Sequence, residues 1–287
     1  MQKRSLVSIL LFAVLSSITY AQFPGMPLIG TVKTDSLKSE VLKVYRNYSI
    51  YLPKSYTTNP EQKYPVLYLL HGIFDNNNGW VMLGHLQDVA NQIIDAGDAC
   101  EMIIVVPDAG SLWNGYFDMD GWSYETFFFM EFIPFIEKTY RVTADKQHRA
   151  IAGLSMGGGG ATVYAQKHHD MFSSVYAMSA LMGLEPGGGI PPRDKKGEEL
   201  NKSVIANHCV KFIENADEAT KEKLKTVSWF ADCGDDDFLF DVNIDFYRAM
   251  RKAAIPCQLR VRDGGHTWEY WHSALYMAIP YASNHFN

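Results

Sequence analysis

Gly153-Leu154-Ser155-Met156-Gly157 is the stretch on which the reading of this chain turns. It carries the Gly-x-Ser-x-Gly spacing of a nucleophile elbow, a sharp turn that lifts a serine between a strand and a helix. The flanks suit that role. His148-Arg149-Ala150-Ile151-Ala152 reads as the end of a buried strand, and Gly158-Gly159-Gly160-Ala161-Thr162-Val163-Tyr164-Ala165 can continue as a helix. Glycines beside the serine are required because a Cβ there collides with the adjoining strand and helix. A pentapeptide of such common residues also arises by accident, so its meaning depends on the rest of the chain.

Working outward, apolar and β-branched runs alternate with helical periodicity. Residues 43–52, 64–70, 102–106, 173–181, 227–231 and 258–261 read as strands. Residues 81–96, 124–140, 202–219, 240–254 and 268–281 read as helices, and 183–199, rich in Gly, Pro and charge, as an irregular excursion expected to form a lid or substrate wall. Several strands are apolar throughout, which predicts an α/β protein with a mostly parallel central sheet flanked by helices. Active sites in such sheets gather at the carboxyl ends of the strands.

A serine hydroxyl needs a base within hydrogen-bond reach. His266 follows the last strand and the turn Asp263-Gly264-Gly265, so it is the expected base, with His272 one helical turn further on as the runner-up. The imidazole in turn needs a carboxylate. Asp232, Asp235, Asp236 and Asp237 cluster after strand 227–231, and spacing alone does not choose among them. The cluster lacks the Asp-x-Asp-x-Asp-Gly pattern of a calcium loop, so no metal is expected. One oxyanion donor is expected from the Met156 N–H at the helix start. The second is expected from Ile73, in the loop His71-Gly72-Ile73 after strand 64–70, with His71 shaping that loop. The order serine, acidic cluster, histidine is that of the α/β-hydrolase fold.

Leu70-His71-Gly72, Gly153-Leu154-Ser155-Met156-Gly157-Gly158, the Gly-Asp-Asp-Asp-Phe-Leu run from Gly234 and Gly264-Gly265-His266 together resemble the esterase D-like family. That group includes feruloyl and acetyl-xylan esterases, S-formylglutathione hydrolases and mycolyltransferases. The resemblance runs from about Lys43 to Tyr281. It implies an α/β-hydrolase fold, no cofactor, Asp237 as the acid of a Ser155–His266–Asp237 triad, and oxyanion donors at Ile73 and Met156.

The 287 residues carry a formal charge of −6 and no Lys/Arg-rich run interleaved with aromatics, which argues against a nucleic-acid partner. Lys3 and Arg4, an apolar stretch at 6–15 and Thr19-Tyr20-Ala21 form the pattern of an export signal, too short to span a bilayer. The expected organisation is therefore a signal at 1–21, a lead-in at 22–40 and a catalytic domain at 41–287, periplasmic or secreted, with no membrane insertion once the signal is removed. Cys100, Cys209, Cys233 and Cys257 have no metal-type spacing and read mostly as buried thiols.

Export argues against a cytoplasmic glutathione thioester as substrate. Trp80, Trp113, Tyr116, Trp122, Trp268 and Trp271 crowd the strand-end loops, and aromatic faces stack on sugars and phenolic acids. Trp80, Trp113, Trp122 and Trp268 are the expected substrate-binding residues. Trp113 and Trp122 stand out among them, whereas Trp268 and Trp271 flank His266 and can orient its loop. The expectation is an exported serine esterase removing feruloyl or acetyl groups from xylan-type polysaccharide or oligosaccharide. An acyltransferase of the same fold, a thioesterase and an inactive carbohydrate-binding protein are the rivals.

Overall fold

The computed structural model describes residues 29–287 except 112, 190 and 193. The export signal expected at 1–21 lies outside the described residues, as does the start of the lead-in. The strands in chain order are β1 (Thr31–Lys38), β2 (Tyr45–Leu52), β3 (Val66–Leu70), β4 (Ile103–Pro107), β5 (Asp118–Met119), β6 (Trp122–Ser123), β7 (Arg149–Leu154), β8 (Ser174–Met178), β9 (Ser228–Gly234) and β10 (Cys257–Arg262). β5 and β6 form a small hairpin, while the other eight make one sheet in the order β1-β2-β4-β3-β7-β8-β9-β10. β2 runs antiparallel to β1 and β4, and the remaining neighbours are parallel.

Every residue of β3, β4, β7 and β8 is buried. In β3, Val66, Tyr68 and Leu70 join one apolar cluster, and Leu67 and Leu69 join the other. This is the period-two alternation of a strand covered on both faces.

The helices supply the cover. α1 (Gly79–Met82) and α2 (Leu86–Ala96) follow β3; α3 (Tyr124–Phe127) and α4 (Ile133–Thr139) follow β6; α5 (Met156–Lys167) follows β7. α6 (Lys195–Ala206), α7 (Cys209–Glu214) and α8 (Glu218–Leu224) follow β8, α9 (Phe240–Lys252) follows β9, and α10 (Trp268–Ser283) follows β10. Side chains of α2 and α10 belong to the same apolar cluster as Leu67 and Leu69, and those of α4, α5, α7 and α9 to the cluster that contains Tyr68, on the opposite face. The chain thus leaves β3 toward one face and leaves the adjacent β7 toward the other. Neighbouring strands whose connections part in this way open a crevice at their carboxyl ends. The loops after β3 and β7 meet there.

The expected lead-in is corrected by β1, which pairs residue for residue with β2 from Thr31↔Leu52 to Lys38↔Tyr45. Its side chains are mostly exposed, so no apolar rhythm announced it. Backbone pairing makes it a strand, and its lysines suit an open edge. The helix expected at 81–96 is interrupted, because His85 adopts a left-handed conformation (φ +50°) between α1 and α2. Helix α6 begins at Lys195, inside the excursion, where the Asp194 carboxylate accepts from the Gly197 N–H and caps it. The helix expected at 202–219 is likewise split, with His208 and Asp217 capping α7 and α8.

Candidate active site

Ser155 occupies the turn between β7 and α5 with φ +52° and ψ −119°, a region that residues other than glycine rarely enter. The surroundings enforce it. The Ser155 N–H donates to Met178 on β8, and its carbonyl accepts from Gly159 and Leu181. A Cβ on Gly153 would lie 2.4 Å from the Gly157 carbonyl oxygen, and one on Gly157 would lie 2.5 Å from that of His71. Both obstacles are backbone. The glycines therefore let the first turn of α5 sit directly against the strand before it and the loop after β3.

His266 Nε2 lies 2.9 Å from Ser155 Oγ, and Nδ1 lies 2.9 and 3.0 Å from the two oxygens of Asp237. Burial pushes the Asp237 carboxyl up, but hydrogen bonds from His266 and the Leu239 N–H outweigh it and hold it below the usual carboxylate range. An ionised Asp237 accepts from Nδ1–H, which leaves Nε2 free to accept from the serine hydroxyl.

The other carboxylates of the cluster are placed elsewhere. Asp232 is fully buried and accepts from the hydroxyls of Tyr176 (2.6 Å) and Tyr270 (2.5 Å). Asp235 and Asp236 are exposed and, with Asp263, bring carboxylate oxygens within 4.8 Å of one another. His272 bonds to the Gly84 carbonyl, away from Ser155. All four cysteines are free thiols. Cys233 and Cys257 fall on neighbouring strands but pair with Val261 and Trp229, several residues apart in register.

The loop after β3 is clamped from within. Trp80 Nε1 donates to the Leu70 carbonyl (3.0 Å), Tyr116 Oη to that of His71 (3.0 Å), and the His71 ring bonds the Gly72 carbonyl (2.7 Å). The Ala109 N–H is an obligate donor 2.9 Å from His71 Nε2, so Nδ1 carries the proton and donates to Gly72. Burial pushes the His71 pKa down, which keeps the ring neutral. In a planar trans peptide the C=O and N–H point opposite ways. Pinning the Gly72 carbonyl to the buried ring therefore turns the Ile73 N–H away from the core, and Ile73 lines the crevice with Ser155. Met156 is the first residue of α5, where a helix leaves its N–H without an intrahelical partner.

Two pockets open at Ser155. The larger, about 510 Å³, is mostly apolar and is lined by Met156, Leu181, Leu184, Leu200, Val204 and Phe238 among others. The smaller, about 330 Å³, has Asp75, Leu83, Trp268 and Trp271 around Ser155 and His266. A third groove, about 540 Å³ and lined by Gln166, His208 and Lys211 among others, contains neither Ser155 nor His266.

The structure sorts the tryptophans differently from their sequence order of merit. Trp268 and Trp271 line the smaller pocket, with Trp271 edge-on to His266 at 4.8 Å. Trp80 is fully buried against Trp268. Trp122 is buried, stacks on Tyr124 and donates to the Gly115 carbonyl. Trp113 is buried against Phe74. None of these three lines either pocket at Ser155. An indole that finds a buried carbonyl is satisfied in the core, and sequence does not show which carbonyls are in reach. The excursion at 183–199, expected as a lid or substrate wall, contributes Leu184 to the larger pocket, whereas Leu181, Leu200 and Val204 beside it were not singled out, because they lie far from the motifs along the chain.

The sheet order, the left-handed serine and the Asp237–His266–Ser155 chain define an α/β-hydrolase of the serine type. The family model Esterase, described as "Putative esterase", matches residues 39–187, and the chain belongs to that family. A solved ferulic acid esterase is 57% identical with a TM-score of 0.88, over 91% of this chain and 100% of that one. The Endo-1,4-beta-xylanase/feruloyl esterase of Xylanibacter ruminicola is 29% identical over 186 residues, which is 61% of this chain; the match spans only 24% of that protein. An Acetyl esterase of Caldicellulosiruptor saccharolyticus is 23% identical over 232 residues, 76% of this chain and 82% of that protein. Among the described residues no helix is long and apolar enough to cross a membrane.

Proposed function

We propose that this protein is a serine carboxylic ester hydrolase that removes an aromatic acyl group of the feruloyl type from plant polysaccharide or its fragments. The observation that carries the chemistry is the continuous hydrogen-bonded chain from Asp237 through His266 to Ser155 at the mouth of two pockets. Ser155 Oγ attacks the ester carbonyl while His266 Nε2 takes its proton. The Ile73 and Met156 N–H groups hold the oxyanion. Collapse of the tetrahedral intermediate transfers the proton from His266 to the leaving alcohol. Water, deprotonated by His266, then attacks the acyl-serine and releases the acid. Asp237 keeps the imidazole in the required tautomer and stabilises its cation.

The substrate class is supported by the pocket and the relatives. An acetyl group would leave most of a 510 Å³ apolar pocket empty, whereas a phenylpropenoyl group can occupy it. The 57%-identical neighbour is itself named a ferulic acid esterase. Export is supported by the signal-like pattern at 1–21.

The test is a panel of methyl ferulate, acetylated xylan and short aliphatic esters with wild-type protein and Ser155→Ala. Wild type is expected to favour the ferulate, and the variant to lose several powers of ten on every ester. Wild-type rates in the variant would end the serine mechanism, and a clear preference for acetylated xylan would end the aromatic assignment. Adding an alcohol acceptor separates hydrolysis from acyl transfer, since a transferase yields the new ester.

A further inference from the structure

The two pockets that meet at Ser155 share four lining residues: Ile73, Phe74, Ser155 and His266. Three of them have a part in the chemistry proposed above. Phe74 has none, yet it is held in the left-handed region at φ +64°. A bulky side chain is strained there, and glycine or asparagine would be at ease. Burial does not offset that strain, because 51% of its surface is exposed. Strain that the core does not require points to a role at the site.

The ring has a support. Trp113 meets it edge-on with centroids 5.3 Å apart. Trp113 is itself buried, and α6 packs so closely behind it that a Cβ on Gly197 would lie 3.1 Å from the indole. The excursion after β8 is thereby tied, through Trp113, to the residue that follows the proposed oxyanion donor Ile73.

We infer that Phe74 is the partition between an acyl subsite and an alcohol subsite, and so sets selectivity for an aromatic acyl group. The sides are assigned by chemistry. Met156, the second oxyanion donor, lines only the larger pocket, so a carbonyl held there has its acyl chain among Leu181, Leu184, Leu200 and Val204. The leaving oxygen must face His266, and on that side Trp268 and Trp271 line the smaller pocket with aromatic surface against which a sugar ring can pack. A residue lining both spaces stops the acyl group from lying across the alcohol side, and its ring gives a planar acid an aromatic neighbour. Trp113 is a positioning residue that acts through Phe74. The inference rests on the aromatic-ester reading of the preceding section.

The experiment compares kcat/KM for methyl ferulate and for p-nitrophenyl acetate in wild type, Phe74→Gly and Phe74→Asn. Both variants suit the left-handed backbone, so the loop keeps its path while the ring is lost. The expected result is a ferulate-to-acetate ratio lowered at least tenfold, mostly through KM, with melting temperatures near that of wild type. Parallel losses on both esters would mean that the residue merely shapes the Ile73 loop, and would overturn the inference. An unchanged ratio would overturn it too. Wild-type protein without activity on methyl ferulate would instead remove the aromatic-ester reading, and the partition with it.

Discussion

Replacing His71 with alanine removes the donor that turns the peptide between Gly72 and Ile73. The His71 ring lies 2.7 Å from the Gly72 carbonyl, and its other nitrogen accepts from the Ala109 N–H at 2.9 Å. Outright loss of one oxyanion donor costs about 10²–10³ in kcat, or about 2.7–4 kcal/mol. Here the donor is loosened but not deleted, since Tyr116 and Trp80 still hold the two preceding carbonyls. The lost hydrogen bond is itself worth about 0.5–1.5 kcal/mol net, and more where it also sets a dipole at the reacting centre. The expected loss is therefore about 10–100-fold in kcat, about 1.4–2.8 kcal/mol. KM should change little, because the oxyanion exists only in the transition state.

His71→Asn is the informative companion. Its amide nitrogen sits near the position of Nδ1 and can still donate to Gly72, whereas the Ala109 N–H loses its acceptor in both variants. Both should be less stable by about 1–3 kcal/mol for that buried orphan donor. Only the alanine variant should lose most of its kcat. Initial rates on p-nitrophenyl acetate, with melting curves to confirm folding, read both quantities. Equal kcat losses in the two variants, or none in either, would refute the view that this ring orients the Ile73 N–H.

Further outcomes follow from the same geometry. Asp237→Asn should leave the fold intact and lower kcat by about 10⁴, as expected when the imidazole is held in the wrong tautomer; a fall of less than tenfold would leave the carboxylate without a catalytic part. The Asp237 carboxyl is held below its unfolded value of about 3.9, so its ionised form stabilises the fold above that pH and the contribution is lost as pH falls through the folded value. In urea titrations the stability gap between wild type and Asp237→Asn should be level above about pH 5 and close toward acid; a gap that widens in acid contradicts the sign. Gly157→Ala places a Cβ 2.5 and 2.6 Å from the carbonyl oxygens of His71 and Leu70, neither of which can rotate away. Destabilisation of at least about 1–3 kcal/mol is expected, together with loss of ester turnover; a soluble variant with wild-type rate would show that the elbow tolerates a side chain.

The sequence by itself determined the layered fold and the serine elbow, because both are written in local patterns. Apolar strands such as Val66–Leu70 carry their double-sided burial in their own composition, and Gly153 and Gly157 mark a turn that admits no Cβ. His266 was legible for a similar reason: it follows a strand end and a Gly-Gly turn. Family likeness, not spacing, singled out Asp237 from its neighbours, and only the folded chain shows it alone at hydrogen-bond distance from that imidazole while Tyr176 and Tyr270 occupy Asp232.

Edge strand β1 went unread because its stability lies in backbone pairing with β2, which leaves no mark on side-chain periodicity. The fate of each tryptophan was equally hidden. Whether an indole meets a core carbonyl, as Trp80 does, or faces a crevice, as Trp268 does, depends on residues distant along the chain. The same holds for the shape of the larger pocket at Ser155, whose apolar walls come mostly from the segment after β8 folding back over the elbow. Local chemistry is inscribed in neighbouring residues, whereas the shape of a cavity exists only once distant segments have packed.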